Sequence, residues 1–279
     1  MLFSKRILVV LDSGPNSQNA LVRASLIAAR TGCGVELIWA GKSEPWQGLE
    51  ELIEALKRQS AHCSQHLLKG SLVQMIRKRW SQDHFGLLVK ACDARHDKLS
   101  LLAPRDWKIL RETPCPVLLV KQKTSWENTR ILAAINPGLA KSDSHNQSIL
   151  MLAGFIAREV NAQLHAVIAT RPVMQGDESE LQSQATIEHQ ARRALEVELK
   201  QMCLPVNQIH IGEGPPEHLI PLVSTHIKAG LLVMGTHARK GVSAALLGNT
   251  AERILDRIDT DILVLRTDLS EPLDPLINP

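Results

Sequence analysis

An internal repeat of about 130 residues constrains the fold of this chain more than any other feature of its sequence. Arg6–Asp12 opens the first copy with a short apolar run, and Arg130–Asn136 opens the second copy in the same way. A continuous apolar run of this length is typical of a strand buried on both faces of a parallel sheet. In both copies such runs alternate with segments whose apolar residues recur at helical spacing, such as Ile149–Val160. The repeat therefore predicts an α/β protein with two tandem domains, each a five-stranded, mostly parallel sheet with helices on both faces.

The repeat also sets the expected domain boundaries. The chain has 279 residues, enough for two domains of about 140 that each bury a core. We expect domain 1 at residues 1–122, a polar linker at 123–128 and domain 2 at 129–267. Residues 268–279 contain proline and aspartate and are expected to form a peripheral tail.

Composition argues against several classes of protein. Hydrophobic residues make up 44% of the chain and charged residues 22%, as in globular proteins. No run reaches the ~18 apolar residues of a membrane span, and the start lacks the pattern of a signal peptide, so we expect a cytoplasmic protein without membrane contact. The five cysteines are scattered, which argues against a disulfide framework or a zinc ribbon. A net charge of +3 is too small to predict nucleic-acid binding.

One stretch of the second copy has the form of an anion-binding loop. An apolar strand ends at Gly235, a loop follows, and Gly248, Asn249 and Thr250 open a helix. Glycines after a buried strand let backbone N–H groups approach a ligand, and a helix start adds further N–H donors, which together suit a phosphate. A purely structural explanation stays open, because any parallel α/β sheet needs glycines where strands give way to helices.

The two copies together resemble the tandem universal stress proteins, and most closely their UspE-like branch. The resemblance rests on residues 241–252 in the second copy and 103–111 in the first, together with the loop that begins at Gly235. In that family the loop reads Gly, two residues, Gly, nine residues, then Gly and Ser or Thr, and it holds the phosphates and ribose of ATP. This chain keeps Gly235 and Gly248 but has Ala238 at the second glycine and Asn249 at the hydroxyl position.

The resemblance implies a Rossmann-like fold of the adenine nucleotide alpha hydrolase type in both domains. It also implies that the last strands of the two copies pair across a pseudo-twofold axis, which makes the chain an intramolecular pseudo-dimer and leaves further homodimerisation open. Such pairing is physically sensible, because an uncovered edge strand as apolar as Val117–Val120 invites aggregation. Members of the family are implicated in stress survival and are not a uniform catalytic class. An enzyme is therefore not expected, although weak ATP hydrolysis stays open.

The resemblance assigns the parts of a nucleotide site to different copies. The family takes an acidic residue from the end of the first strand to meet adenosine, and Asp12 has that position in the first copy, whose phosphate loop is missing. Asp12 thus marks a degenerate site. The second copy has the better loop but Asn136 in place of the acid. If ATP is the ligand, its candidate site comprises Asn136, Pro137, Val167, Met234, Gly235, Ala238, Gly248, Asn249 and Thr250.

These residues also have explanations that need no ligand. Val167 and Met234 lie in predicted strands, where apolar residues usually belong to the core. Asn136 before Pro137 is a good turn starter. In the first copy, the Cys92–Asp97 loop is dense in potential ligands but lacks a complete set of metal-ligand spacings, so no metal site is predicted.

Three functions compete at this stage. The first, which we favour, is a non-enzymatic stress-response protein that acts as an interaction or small-ligand module, with protein partners that the sequence does not identify. The second is an ATP-binding sensor that uses the Gly235–Thr250 loop and hydrolyses ATP weakly or not at all. The third is an enzyme with a site at the carboxyl ends of the strands, but the sequence displays no converging acid, base or metal ligands for it.

Overall fold

A computed structural model of the protein describes residues 6–12, 16–39, 48–59, 62–67, 71–82, 85–92, 104–113, 115–136, 143–170, 183–236 and 248–266. Within these residues there are ten strands and eight helices. They form two compact units. Of the described residues, the first unit contains those up to Lys123 and from Asp261 onward, and the second unit contains Thr124–Thr236 and Gly248–Thr260.

Strands and helices alternate along the chain in the order that the repeat predicts. The first copy contains β1 (Ile7–Leu11), α1 (Ser17–Thr31), β2 (Val35–Trp39), α2 (Leu49–Gln59), β3 (Cys63–Leu67), α3 (Leu72–Gln82), β4 (Leu87–Ala91), α4 (Pro104–Glu112) and β5 (Val117–Val120). The second copy contains β6 (Arg130–Ile135), α5 (Asp143–Glu159), β7 (Gln163–Thr170), α6 (Gln184–Gln201), β8 (Gln208–Glu213), α7 (Pro216–His226), β9 (Ala229–Thr236), α8 (Asn249–Leu255) and β10 (Asp261–Arg266).

The sheet of the first unit has the order β3-β2-β1-β4-β5-β10. The strands β1 to β5 are parallel, and β10 is antiparallel to β5, with Leu263 beside Leu118. All residues of β1 are buried, which explains its unbroken apolar run. Because β1 and β4 are parallel neighbours, their carboxyl ends, at Leu11 and Ala91, lie at the same edge of the sheet.

Asp261 fixes the start of β10 in the first unit. Its side chain is fully buried, and Oδ2 accepts a hydrogen bond of 2.8 Å from Nε of Arg23 on α1. Oδ1 accepts bonds of 2.7 and 2.9 Å from the backbone N–H groups of Lys121 and Gln122, just after β5. With this anchor, the last strands of the two copies pair as the resemblance implied. The apolar edge of β5 is thereby covered.

The sheet of the second unit has the order β9-β6-β7-β8, and these strands are all parallel. Arg130 at the start of β6 lies beside Gln163 of β7, and Ala134 near the end of β6 lies beside Val167. The amino ends of the strands therefore share one edge of the sheet. Their carboxyl ends share the opposite edge, where Asn136 follows β6.

The helices bury an apolar face against the sheets. In α1, for example, Ala20, Ala24 and Ala28 recur at helical spacing and are buried. This helix ends at Gly32, whose φ of 68° is the left-handed conformation that glycine adopts readily, and whose N–H donates to the carbonyl of Ala28. Among the described helices, none is both long and apolar enough to cross a membrane.

Candidate functional site

A buried lysine lies at the carboxyl ends of β1 and β4 in the first unit. Nζ of Lys90 lies 2.9 Å from Oδ1 of Asp106 on α4 and 3.4 Å from Oδ2 of Asp12, which follows β1. It also donates a hydrogen bond of 2.7 Å to the carbonyl oxygen of Ala91. Only 4% of Lys90 and 1% of Asp106 is exposed. The carboxylate of Asp12, which the resemblance assigns to adenosine, therefore faces a cation of the chain itself.

Electrostatic interactions with the two carboxylates favour the charged form of Lys90. Burial opposes the charge of Lys90, but the carboxylates of Asp106 and Asp12 outweigh burial and raise the pKa of the ammonium group. Burial, and next the carboxylate of Asp106, raise the pKa of the Cys92 thiol, which therefore stays protonated and unreactive near neutral pH. A nucleotide that used Asp12 would have to separate a buried ion pair, which is unfavourable.

The second unit carries uncharged residues at the corresponding places. Asn136 follows β6, Met234 lies near the end of β9, and Ala251 lies in the first turn of α8. In the repeat, Asn136 corresponds to Asp12, Met234 corresponds to Lys90, and Ala251 corresponds to Asp106. Met234 and Ala251 are buried, whereas Asn136 is exposed. A ligand at this edge of the second sheet would have no ion pair of these three residues to displace.

The backbone of Asn136 is held by a buried asparagine of α5. Oδ1 of Asn146 accepts a hydrogen bond of 3.3 Å from the N–H of Asn136, and its Nδ2 donates one of 3.0 Å to the carbonyl oxygen of the same residue. One side chain thus satisfies both backbone groups at the point where the chain leaves the sheet. In the first unit the hydroxyl of Ser17 accepts a bond of 2.8 Å from the N–H of Asp12 at the equivalent position.

The side chain of His145 leaves no room for a side chain at position 235, which is a glycine. A Cβ atom at this position would lie 1.8 Å from Nε2 of His145 on α5, which is far inside contact distance. The imidazole of His145 therefore packs directly against the backbone at the end of β9, beside Met234. This contact gives Gly235 a structural role, and it places a titratable side chain in the candidate site that the sequence did not reveal.

The structure places the other predicted residues as follows. Gly248 precedes α8 with extended backbone, and Asn249 and Thr250 are exposed in the first turn of that helix. Val167 is fully buried inside β7 and belongs to the core, as its position in a strand suggested. Pro137 and Ala238 lie outside the described residues.

Metal binding finds no support in the described parts of the chain. No group of three His, Cys, Asp or Glu side chains comes together there as metal ligands. Of the Cys92–Asp97 loop only Cys92 is described, and it is buried beside Lys90.

Comparison with known proteins identifies the family. The model of the universal stress protein family matches residues 127–266, which is just over half of the chain and contains the candidate site. The chain belongs to the universal stress protein family. The match also contains Gly235 and residues 241–252, on which the resemblance of the second copy rested.

The relatives of this universal stress protein include proteins that align with nearly its whole length. It is 33% identical over 186 residues to universal stress protein E of Photorhabdus laumondii, an alignment that covers 62% of the chain and 59% of the relative. The chain thus spans about three fifths of the length of that relative. An alignment with universal stress protein E of Salmonella typhi covers 96% of both chains at 26% identity. The crystal structure of a Pseudomonas aeruginosa universal stress protein, 32% identical, covers 95% of the chain and is itself covered to 94%, with a TM-score of 0.79.

Proposed function

We propose that this universal stress protein is a non-enzymatic ligand-binding module of the stress response, and that the second copy holds an adenine nucleotide such as ATP. The observation that carries the proposal is the contrast between the two copies at the carboxyl ends of their strands. In the first copy Lys90 neutralises Asp12, whereas in the second copy Met234 and Asn136 stand at the same places without charge. Ligand binding is thus assigned to the copy that the family model matches.

The residues of the second copy offer suitable contacts for a nucleotide. The exposed Asn136 side chain has both a donor and an acceptor, which suits a ribose hydroxyl or an adenine edge. Asn249 and Thr250 are exposed at the far side of the Gly235–Thr250 loop and can donate to phosphate oxygens. His145, which packs against Gly235, adds an imidazole ring with an N–H donor at this edge of the sheet.

The absence of catalysis is proposed on chemical grounds. Of the described residues at this site, His145 has the only imidazole, and no carboxylate, lysine or thiol stands among them to complete an acid–base pair. Slow ATP hydrolysis would need a second group. A phosphate-release assay on the same protein samples measures it directly.

Two isosteric substitutions test the proposal by calorimetric titration of nucleotide-stripped protein with ATP and Mg²⁺. Asn249→Asp places a negative charge near the expected phosphates and should weaken binding about tenfold or more. Asn136→Asp restores the carboxylate that the family uses and should strengthen binding. The matched control is Asn128→Asp, which adds the same charge at the amino end of β6 on an exposed residue.

The outcome is decisive in either direction. Saturable binding that responds to Asn249 and Asn136 but not to Asn128 supports the nucleotide site. No binding up to about 1 mM ATP, where even a site of about −4 kcal/mol is half filled, would remove the nucleotide from the proposal. An equal change in ATP affinity in all three variants would mean that the affinity depends only on the net charge of the protein.

A further inference from the structure

A cavity of about 470 Å³ opens at the amino ends of β6, β7 and β8 in the second unit. Its lining includes the cations Arg130 and Lys228 and the imidazoles of His165, His210 and His226. The candidate nucleotide site lies at the other ends of these strands, some 17–20 Å away for a six-residue strand. The cavity is therefore a separate place on the molecule.

The lining of the cavity is cationic. Arg130 and Lys228 are exposed, and neither has an ion-pair partner among the described residues. None of the residues that line the cavity is an aspartate or a glutamate. A concave surface with charges of one sign concentrates the field and attracts ions of the opposite sign.

Two of the histidines form a hydrogen-bonded pair inside this cationic surface. Nδ1 of His165 and Nε2 of His210 are 3.0 Å apart, and the rings are nearly parallel. Only 5% of His165 is exposed, and its Nε2 is buried without a hydrogen-bond partner in the described structure. Burial, then His210 and Arg130, lower the pKa of His165 to about 4. Burial, then His226 and Arg192, lower the pKa of His210 as well, so the pair is neutral near pH 7.

The first copy has a glutamate at the position that corresponds to His165. In the first sheet, Glu36 of β2 lies beside Leu8 of β1. In the second sheet, His165 of β7 lies beside Leu132 of β6, which corresponds to Leu8 in the repeat. Glu36 and His165 are therefore equivalent residues.

Glu36 has a buried carboxylate with arginine and histidine side chains close to it. It is 4% exposed, its Oε2 accepts a hydrogen bond of 2.9 Å from Nη2 of Arg79, and its Oε1 accepts one from Nε of the same guanidinium group. Arg6 lies 3.8 Å from Oε2, and Nε2 of His66 lies 3.6 Å from Oε1. By position in the strands, Arg6 corresponds to Arg130 and His66 corresponds to His210.

We propose that the cavity of the second unit binds a small organic anion, whose carboxylate or phosphate group takes the place that the Glu36 carboxylate has in the first unit. The second copy keeps the counterparts of Arg6 and His66, but His165 stands in place of the carboxylate and Val223 in place of Arg79. The anion pairs from outside the chain with the arginine that the second copy keeps. Arg130 and Lys228 pair with it electrostatically. In the tautomer in which Nδ1 of His165 accepts a hydrogen bond from Nε2–H of His210, the buried Nε2–H of His165 can donate to the anion.

The size and polarity of the cavity indicate the class of ligand. A volume of about 470 Å³ lies within the usual range of small-molecule sites. The side-chain amides of Gln163 and Gln208 line the same cavity and can donate to hydroxyl or further oxyanion groups. The expected ligand is therefore a polar metabolite with two or more negative charges.

The test is calorimetric titration of the full chain with two probes, pyrophosphate and citrate, at fixed ionic strength. Wild-type protein should bind at least one probe with a stoichiometry of one, and the imidazole NMR signals of His165 and His210 should shift with the same midpoint. Arg130→Gln and Lys228→Gln, both exposed residues, should each weaken binding about tenfold or more. The matched control is Arg6→Gln, which removes the same charge at the equivalent position of the first copy and should leave binding unchanged.

A second variant installs the internal carboxylate. His165→Glu should pair with Arg130, as Glu36 pairs with Arg6, and should abolish binding of both probes while circular dichroism confirms the fold. If this variant does not fold, the arginine and lysine variants decide alone. The proposal is overturned if neither probe binds up to about 1 mM, if Arg130→Gln binds as wild type does, or if Arg6→Gln weakens binding equally. Because ATP is also an anion, ATP titration of Arg130→Gln separates this site from the candidate nucleotide site.

Discussion

Nζ of Lys90 and Oδ1 of Asp106 lie 2.9 Å apart in the first copy, and both side chains are almost completely buried. In the second copy Met234 and Ala251 stand at these positions and are buried as well. One place in a repeated fold is thus filled by an ion pair in one copy and by apolar atoms in the other. This charge difference is the reason why we propose nucleotide binding for the second copy and not for the first.

Replacing Lys90 by methionine, the residue of the second copy, should strongly destabilise the first unit. Asp106 and Asp12 would be left as buried carboxylates without their cation, which typically lowers the free energy of unfolding by about 3–5 kcal/mol. Urea denaturation of Lys90→Met measures this loss. The double variant Lys90→Met with Asp106→Ala copies the second unit more fully and should recover part of it. Lys57→Met, at an exposed ion pair with Glu54, is the control and should change stability little.

Asp261→Asn should destabilise the protein through Arg23. Asparagine keeps an oxygen that can accept from the N–H groups of Lys121 and Gln122, but it has no charge to match the buried guanidinium group. We expect the free energy of unfolding to fall by about 3 kcal/mol or more, as measured by urea denaturation. Asp259→Asn, at an exposed position shortly before β10, should stay within about 0.5 kcal/mol of wild type. Equal losses in the two variants would contradict the role given to Arg23.

Much of the fold could be predicted because its strands are buried on both faces. Such strands appear in the sequence as unbroken apolar runs, and β1 and β6 begin and end close to the predicted residues. The first helix of the second copy shows the limit. Apolar periodicity predicts its start at Ile149, yet α5 begins at Asp143, because its first turns are made of polar residues that give no periodic signal.

The candidate site could be predicted only in part, because its partners are distant in sequence. Lys90 interrupts an apolar strand and is visible as an anomaly, but nothing in the spacing connects it with Asp106 on another element. The contact of His145 with Gly235 likewise joins residues that are far apart in the chain. The equivalence of Glu36 and His165 emerges only from strand register, which the apolar pattern alone does not fix.

Gly235→Ala should destabilise the protein, because the side chain of His145 packs directly against Gly235. The new methyl group would overlap the imidazole ring, so the side chain of His145 must rotate away from β9. Because the ring can move, we expect a loss of only about 1 kcal/mol in the free energy of unfolding. The loss in Gly235→Ala should be smaller when it is made in a His145→Ala background. Additive losses in the double-variant cycle would contradict direct packing between the two residues.

The histidine pair should make the second unit sensitive to acid. His165 titrates near 6.5 when unfolded, but its pKa in the folded protein is lowered to about 4 by burial, His210 and Arg130. Between these pH values the unfolded chain binds a proton that the folded chain does not, so stability is complete above pH 6.5 and declines as the pH falls towards about 4. Urea denaturation at a series of pH values should therefore show a smaller decline for His165→Gln than for wild type. His189→Gln, at an exposed position of α6, should keep the wild-type profile, and an unchanged profile in His165→Gln would contradict the assignment.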